Sequence, residues 1–187
     1  MAGRVVSIEL TWDFPVPIAL ESSQRWVLSA MRDYGPGLIT MLWRILGNEQ
    51  DVCDAYQDTF LKLAHNEQRS KPENVRAYVF RSASNAAISI LRRRLSDKAR
   101  LASVHPAGAG TSSSAGELDS QFLKEALRGA IARLPENLRD VVMLHDLGEL
   151  SYEQVAKILQ ITAASARVYR CKAVQLLAGW MRKETAQ

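Results

Sequence analysis

The stretch LPENLRDVVMLHDLGELSYEQVAKILQITAASARVYRCKAVQLLAGW, residues 134–180, governs the interpretation of the whole chain. Pro135 suits the first position of a helix, where its missing N–H costs no hydrogen bond. Ser151 and Gln154 have the spacing of a capping box, which predicts the start of a second helix. After a tight turn that ends at Thr162, the expected N-cap, a longer basic helix follows. Two short helices, a turn and a longer helix are the layout of a helix-turn-helix DNA-binding unit.

The last helix of this stretch separates into an apolar stripe and a polar face. Steps of three and four predict a buried stripe of Ala166, Tyr169, Ala173, Leu176 and Trp180. The residues left outside the stripe are predicted to form the outward face, which a helix-turn-helix unit directs toward DNA: Ser165, Arg167, Val168, Arg170 and Lys172. A plain three-helix packing unit with a solvated basic face would show the same pattern, so the rest of the chain has to decide.

The composition limits the class of protein. A length of 187 residues allows one large domain or two small ones, and the net charge of +4 suits a polyanionic partner. Cys53 and Cys171 make no disulfide framework and no metal-ligand spacing, so neither a metal nor a cofactor is predicted. No apolar run approaches the ~20 residues of a membrane span, and we expect a cytoplasmic protein without membrane insertion. Since no phosphate loop or nucleophile–base pair is evident, we expect no catalytic residues and no enzymatic activity.

The chain reads as an all-α protein of two small helical domains joined by a flexible linker. Residues 1–24 form a leader with a short strand-like alternation at 6–12. The N-terminal domain, 25–101, is predicted to contain helices at 25–34, 38–46, 51–64 and 75–94, the last with an alternative end toward residue 100. Gly35-Pro36-Gly37 is predicted to end the first helix, and residues 65–74 to form a loop. Small and polar residues at 102–116 predict the linker, and the C-terminal domain, 117–183, contains the helix-turn-helix.

The longest predicted helix of the N-terminal domain has an unusual polar face. One side is apolar, with Val79, Ala83, Ala86, Ala87, Ile90 and Leu91. Another side has cations, amide and hydroxyl groups and an aromatic ring, at Tyr78, Arg81, Ser82, Asn85, Ser89, Arg92 and Arg93. An ordinary solvated face mixes Glu with Lys, but this helix has no acidic residue between 78 and 94, which favours contact with nucleic acid. Acidic residues are instead concentrated at 49–58, which indicates a second and different partner.

Residues 51–61, DVCDAYQDTFL, resemble the D-A-E-D-x-x-Q-E-T-F-L helix of bacterial RNA polymerase sigma factors of the extracytoplasmic-function (ECF) type, in the sigma-70 family. In that family the helix docks on the coiled coil of the polymerase β′ subunit. The resemblance therefore implies a docking set of Asp51, Asp54, Gln57, Asp58, Phe60 and Leu61. Cys53 departs from the family pattern, which usually has Glu there.

Two further segments carry the same resemblance, which covers about residues 30–180. Residues 76–94 are similar to the family's R-A-W-L-x-R…N…LRRR segment, which engages the −10 promoter element. This implies a −10 set of Asn74, Arg76, Tyr78, Arg81, Ser82, Asn85, Ser89, Arg92 and Arg93, and a base-capturing role for the loop at 65–74. Residues 134–156 are similar to L-P-x-x-x-R-x-V…L-S-Y-x-E-I-A of the domain that reads the −35 element. This implies that the outward face of the last helix is a −35 set of Ser165, Arg167, Val168, Arg170 and Lys172. Tyr78 and Ser89, where the family usually has Trp and Asp, and the start of the last helix at 163–166, depart from the pattern.

The resemblance implies a sigma factor that directs core RNA polymerase to specific promoters, helps to open the −10 region and starts transcription of a specialised regulon. It also implies three partners: core polymerase, through its β′ coiled coil and β flap, promoter DNA, and an anti-sigma factor. The residues alone leave a stand-alone helix-turn-helix regulator of duplex DNA as the main alternative, and a helical adaptor that binds no DNA as a weaker one.

Overall fold

The computed structural model describes residues 25–64, 71–104 and 115–184. Its helices are α1 (Arg25–Leu46), α2 (Glu49–Ala64), α3 (Val75–Val104), α4 (Ala115–Arg133), α5 (Glu136–Val142), a π-helical turn (Met143–Leu147), α6 (Tyr152–Leu159) and α7 (Ala163–Glu184). No strand occurs in these ranges, and the predicted all-α fold is confirmed. The strand-like leader and residues 65–70 and 105–114 lie outside the described residues.

Helix α1 is continuous, so the predicted break at Gly35-Pro36-Gly37 is wrong. The two glycines serve packing instead of a turn. A Cβ at Gly35 would lie 2.9 Å from the hydroxyl of Tyr56 in α2, and one at Gly37 would lie 3.6 Å from the ring of Phe80 in α3. Pro36 remains inside the helix, where its carbonyl accepts a hydrogen bond from the hydroxyl of Thr40 (3.0 Å). Close packing of three helices therefore overrides a local signal that usually ends a helix.

Helices α2 and α3 follow the predicted faces closely. Both start at an asparagine cap: the Asn48 side chain accepts from the backbone N–H of Asp51 (2.8 Å), and Asn74 does the same for Ala77 (3.0 Å). The apolar side predicted for α3 is buried, apart from the half-buried Ile90. On α2 the inner side is formed by Val52, Ala55, Thr59, Phe60 and Leu63, which are all buried. Helix α3 is longer than predicted, and α3 and α4 take in residues 102–104 and 115–116 of the segment predicted as linker.

The C-terminal domain contains the predicted helix-turn-helix, formed by α6, a turn at Gln160–Thr162 and α7. The capping box of Ser151 and Gln154 is complete, and the hydroxyl of Thr162 accepts from the backbone N–H of Ser165 (3.0 Å). Gln160 ends α6 in the left-handed conformation (φ 56°). Pro135 is the N-cap of α5 and not its first residue, a shift of one position.

The buried stripe of α7 differs from the prediction at one position. Ala166, Ala173 and Leu177 are buried, whereas Leu176 is 38% exposed. After Ala173 the next buried residue of the stripe is four positions on, at Leu177, and not three. A straight α-helix repeats every 3.6 residues, so some steps of the stripe must be four residues for it to keep facing α4 and α5. Tyr169 and Trp180 pack against the core as expected.

The two helical groups, α1–α3 and α4–α7, pack against each other in this structure. Helix α3 contacts both α4 and α6, and the π-helical turn lies against α1. Their buried residues form one continuous apolar cluster. Among the described residues, no helix is both long and apolar enough to cross a membrane.

Candidate functional site

The docking set lies on α2, and most of it faces outward. Asp54, Gln57 and Leu61 are exposed, and Leu61 has 55% of its surface accessible. The carboxylate of Asp58 accepts a hydrogen bond from the ammonium group of Lys62, one helical turn away, at 2.6 Å. These residues offer carboxylates and one apolar side chain on a single helix face, a combination that suits a basic partner surface with an apolar contact.

Phe60 is the exception in the docking set. It is only 4% exposed, and its ring lies 4.8 Å from that of Tyr56 inside the N-terminal domain. Helical spacing places Phe60 on the buried side of α2, together with Val52, Thr59 and Leu63. The structure thus assigns Phe60 to the core, where it supports the docking helix from beneath and cannot touch a partner directly.

Asp51 is held by neighbours that the sequence did not indicate. One carboxylate oxygen accepts from the guanidinium of Arg94 (3.0 Å) and from the amide of Asn48 (2.8 Å). Arg94 also donates to the carbonyl of Leu46 (3.1 Å) and lies 3.6 Å from Glu125 in α4. Arg94 is the third arginine of the LRRR run, and only its distant partners distinguish it from Arg92 and Arg93.

The −10 set occupies one side of α3. Arg81, Asn85, Ser89, Arg92 and Arg93 are exposed, whereas Arg76, Tyr78 and Ser82 are half-buried. The guanidinium of Arg76 lies 5.6 Å from the ring centre of Phe80. Asn74 uses its side chain to cap α3, so its exposed amide has a structural role in addition to the predicted one. The face keeps three exposed guanidinium groups within reach of a polyanion.

The −35 set lies on the first half of α7. Val168, Lys172 and Arg167 are exposed. Arg167 lies 3.5 Å from Glu153 and 5.0 Å from the ring centre of Tyr152, both in α6. Hydrogen bonds from its own backbone N–H and from Ser151, together with Arg167, hold the pKa of Glu153 below its ordinary value. The two helices of the helix-turn-helix are therefore linked at the surface that would face DNA.

Arg170 departs from the outward position predicted for it. Its guanidinium binds Asp146 of the π-helical turn at 2.7, 2.8 and 3.1 Å. These hydrogen bonds with Asp146 raise the pKa of Arg170 above its already high ordinary value. Because Asp146 lies 24 positions away in sequence, spacing within α7 could not reveal this pairing. Arg170 thus fixes α7 to the turn that precedes α6.

The π-helical turn makes this arrangement possible. The backbone N–H of Gly148 donates to the carbonyl of Met143 (2.9 Å), a bond that spans five residues. A Cβ at Gly148 would lie 2.8 Å from the carbonyl oxygen of Leu144, so the turn requires glycine. The ring of His145 stacks on that of Tyr152 with centres 4.0 Å apart. The wider turn orients Asp146 toward α7 and the following segment toward the cap of α6.

Asp140 and Arg139 form a buried charged pair behind the helix-turn-helix. They are 7% and 5% exposed, and their nearest charged atoms are 3.6 Å apart. Burial raises the pKa of Asp140, although Arg139 opposes the shift. Asp140 also lines a cleft of about 320 Å³ together with Arg81, Glu136, Asn137, Leu159, Ile161 and Tyr169. The cleft lies between α3 and the C-terminal domain. In the described part of the chain, no group of side chains has the arrangement of a metal site.

Two protein-family models match the chain, one for each helical group. Sigma-70 region 2 matches residues 30–96, and Sigma-70, region 4 matches residues 124–177. The first match includes the docking set and the −10 set, and the second includes the −35 set. Because both groups match parts of one family, a stand-alone helix-turn-helix regulator is not favoured.

The curated proteins that are similar along most of the chain include two sigma factors. The ferric citrate uptake sigma factor FecI of Escherichia coli (strain K12) is 28% identical over 139 residues, which are 74% of this chain and 80% of FecI. The ECF RNA polymerase sigma factor SigE of Mycolicibacterium smegmatis is 25% identical over 165 residues, 84% of this chain. The match spans 63% of the length of SigE.

Among the solved structures with a similar fold is CnrH in complex with the cytosolic domain of CnrY, with a TM-score of 0.53 and 18% sequence identity. The match covers 87% of this chain and 91% of CnrH. At this identity the likeness concerns the arrangement of helices alone.

Proposed function

The chain belongs to the sigma-70 family, as a factor of the ECF type, and from this premise we propose that it directs core RNA polymerase to specific promoters. In this proposal it helps to open the −10 region and starts transcription of a specialised regulon. The supporting observation is the separation of charge: an outward acidic face on α2, and on α3 a face with three exposed arginines and no acidic residue of its own between positions 78 and 94. A chain with these two faces can bind a large enzyme and DNA at once.

Each surface has a separate role in the proposal. The exposed members of the docking set, Asp54, Gln57 and Leu61, bind the β′ coiled coil. The cations of the −10 set bind phosphates, and the half-buried Tyr78 offers an aromatic face for an unstacked base. On α7, Arg167 and Lys172 approach the −35 DNA, while Arg170 holds α7 in place.

The proposed partners are core polymerase, through the β′ coiled coil and the β flap, and an anti-sigma factor. CnrH was solved with the cytosolic domain of CnrY, and this chain shares the fold of CnrH. Binding of an inhibitory protein to the helices that face polymerase would keep the factor inactive until a signal releases it.

Run-off transcription tests the function. The purified chain with core polymerase should start RNA at defined promoters, and core polymerase alone should not. The matched control is Asp54→Arg, which reverses one exposed charge of the docking set and should abolish most of the specific product. Specific footprints by the isolated chain without binding to core polymerase at micromolar concentration would overturn the proposal in favour of a stand-alone regulator.

A further inference from the structure

An ion pair inside the N-terminal domain joins the start of the docking helix α2 to α3. One guanidinium nitrogen of Arg94 lies 3.0 Å from the carboxylate of Asp51 and also donates to the carbonyl of Leu46, at the end of α1 (3.1 Å). The same carboxylate oxygen accepts from the amide of Asn48 (2.8 Å), whose own oxygen accepts from the backbone N–H of Asp51 (2.8 Å). The end of α1, the start of α2 and α3 therefore meet in one hydrogen-bonded group.

The carboxylate of Asp51 is shielded from solvent more than that of a surface ion pair. Its side chain is 21% exposed, whereas the side chain of Glu149, which pairs with Arg44 of α1 at 2.6 Å, is 69% exposed. Water and salt therefore compete less for Asp51. A partner that drew this carboxylate outward would have to break its hydrogen bonds to Arg94 and Asn48. Direct contact between Asp51 and polymerase is thus disfavoured.

The pair adds directional contacts to a packing that is otherwise mostly apolar. Burial of apolar surface between α2 and α3 favours association but does not by itself fix how far one helix is shifted or rotated against the other. The planar guanidinium of Arg94 must satisfy a carboxylate and a carbonyl on two other helices, which restricts these movements. Arg94 therefore fixes the first turn of α2 relative to α1 and α3.

Both members of the pair lie next to residues that the proposed function uses. Asp51 precedes the exposed Asp54 of the docking set by three positions. Arg94 directly follows Arg92 and Arg93, the two exposed arginines at the end of the −10 set. Arg94 itself is half-buried, and its charge is directed at α1 and α2. A shift of this pair would thus change the position of the docking set relative to the −10 set.

We propose that Asp51 and Arg94 are a positioning pair, which holds the exposed docking residues of α2 in a fixed place relative to the −10 set of α3. Asp51 supports polymerase binding through Arg94 and does not touch polymerase, and Arg94 does not touch DNA. The pair also places the −10 set over the promoter once polymerase is bound. Its functional meaning rests on the proposed function, since only a chain that binds polymerase and the −10 element together needs this fixed relation.

A double-mutant cycle on the affinity of the full chain for core polymerase tests how Asp51 acts. Asp51→Asn and Arg94→Gln should each weaken binding by about three- to tenfold, within the range for residues in direct contact. The double variant should bind no more weakly than the weaker single variant, because the second change removes nothing further. If Asp51→Asn weakens binding as much in the Arg94→Gln background as in the unmodified chain, Asp51 touches polymerase directly and the positioning pair is wrong.

Two matched controls remove one charge each from the same helices. Glu49→Gln removes an exposed acid from the first turn of α2, and Lys98→Gln removes an exposed cation one turn after Arg94. Each should leave polymerase affinity within about twofold of the unmodified value, as expected for an exposed charge. A loss as large as that of Asp51→Asn or Arg94→Gln would show that net charge, and not the pair, determines affinity. Circular dichroism checks that every variant is folded.

Hydrogen exchange tests the positioning in the free chain, without polymerase. In Arg94→Gln the backbone amides of residues 52–58 in α2 should exchange about three- to tenfold faster, because local opening of this helix becomes easier. Amides of residues 38–42 in α1 should be unchanged. Arg94→Lys retains the charge and should recover part of the protection at 52–58. Equal exchange at 52–58 in Arg94→Gln and the unmodified chain would contradict the positioning role.

Promoter opening at saturating factor concentration tests the link to the −10 set. Asp51→Asn leaves every cation of α3 in place, yet it should lower the fluorescence change of a base analogue in the −10 element by about threefold when all polymerase is bound. Opening equal to that of the unmodified chain would refute the link. If the unmodified chain binds no core polymerase, the proposed function fails, while hydrogen exchange still decides whether the pair positions α2.

Discussion

At the scale of single residues, Asp140 shows how burial couples stability to pH. The carboxylate is buried, and burial raises its pKa above the ordinary value of 3.8. The folded chain therefore holds this proton more tightly than the unfolded chain does. The contribution of Asp140 to the free energy of unfolding falls as pH rises from 3.8 through the folded pKa, and it is constant above that value.

The Asp140→Asn variant lacks this dependence. We expect the free energy of unfolding of the unmodified chain, minus that of the variant, to decrease over the pH window that begins near 3.8. Urea unfolding followed by circular dichroism at a series of pH values up to neutral measures the difference. A difference that rises with pH in this window would mean that Arg139 outweighs burial.

Phe60 is buried and its neighbour Leu61 is exposed. Substitutions at these two positions therefore distinguish a loss of stability of the docking helix from a loss of polymerase binding. Phe60→Ala should lower the free energy of unfolding by about 3–5 kcal/mol, because it empties a packed site. Leu61→Ala should leave stability within about 0.5 kcal/mol and weaken binding to core polymerase, since this side chain is mostly exposed. Denaturation and a polymerase binding titration on both variants give the comparison, and unchanged binding by Leu61→Ala would remove Leu61 from the docking set.

At the scale of elements, α1 stays continuous because Gly35 admits the Tyr56 hydroxyl. A Cβ at position 35 would lie 2.9 Å from that oxygen, whereas alanine is intrinsically better than glycine inside a helix by about 1 kcal/mol. Gly35→Ala should therefore be more stabilising in a Tyr56→Phe background than in the unmodified chain. A double-mutant cycle measured by thermal or urea unfolding quantifies the coupling, and strict additivity would show that the hydroxyl does not set the need for glycine.

The orientation of α7 depends on the pairing of Arg170 with Asp146. Arg170→Ala should reduce both promoter affinity and stability, the latter by about 1 kcal/mol for this partly exposed pair. Lys172→Ala should leave stability unchanged and lower the salt slope of promoter binding by about one. Both variants are assayed with core polymerase on promoter DNA at several salt concentrations, and a stability loss confined to Lys172→Ala would reverse these roles.

At the scale of the whole molecule, the sequence predicted what local periodicity and capping determine. The faces of α2 and α3 and the caps at Ser151 and Thr162 each depend on residues within one or two helical turns. The Gly35–Gly37 segment was misread because α2 and α3, distant in sequence, decide its conformation. Arg44, Arg94, Arg128 and Arg170 likewise have partners 24 to 105 positions away, which no spacing rule connects. The sequence therefore predicted which residues share a helix face, but not the ion pairs and hydrogen bonds that connect different helices.

The contact between Arg44 and Glu149 has a consequence for natural variation. It joins two residues 105 positions apart, in segments that match two different family models. If the packing of the two helical groups is under selection, a relative that replaces Arg44 by an acidic residue should replace Glu149 by a basic one. In the proposed function the docking, −10 and −35 sets contact polymerase and promoter, so their variation should follow those partners instead. Correlated substitution at these two positions would then indicate selection on the packing of the two helical groups. It would be independent of substitutions in the surfaces that bind partners.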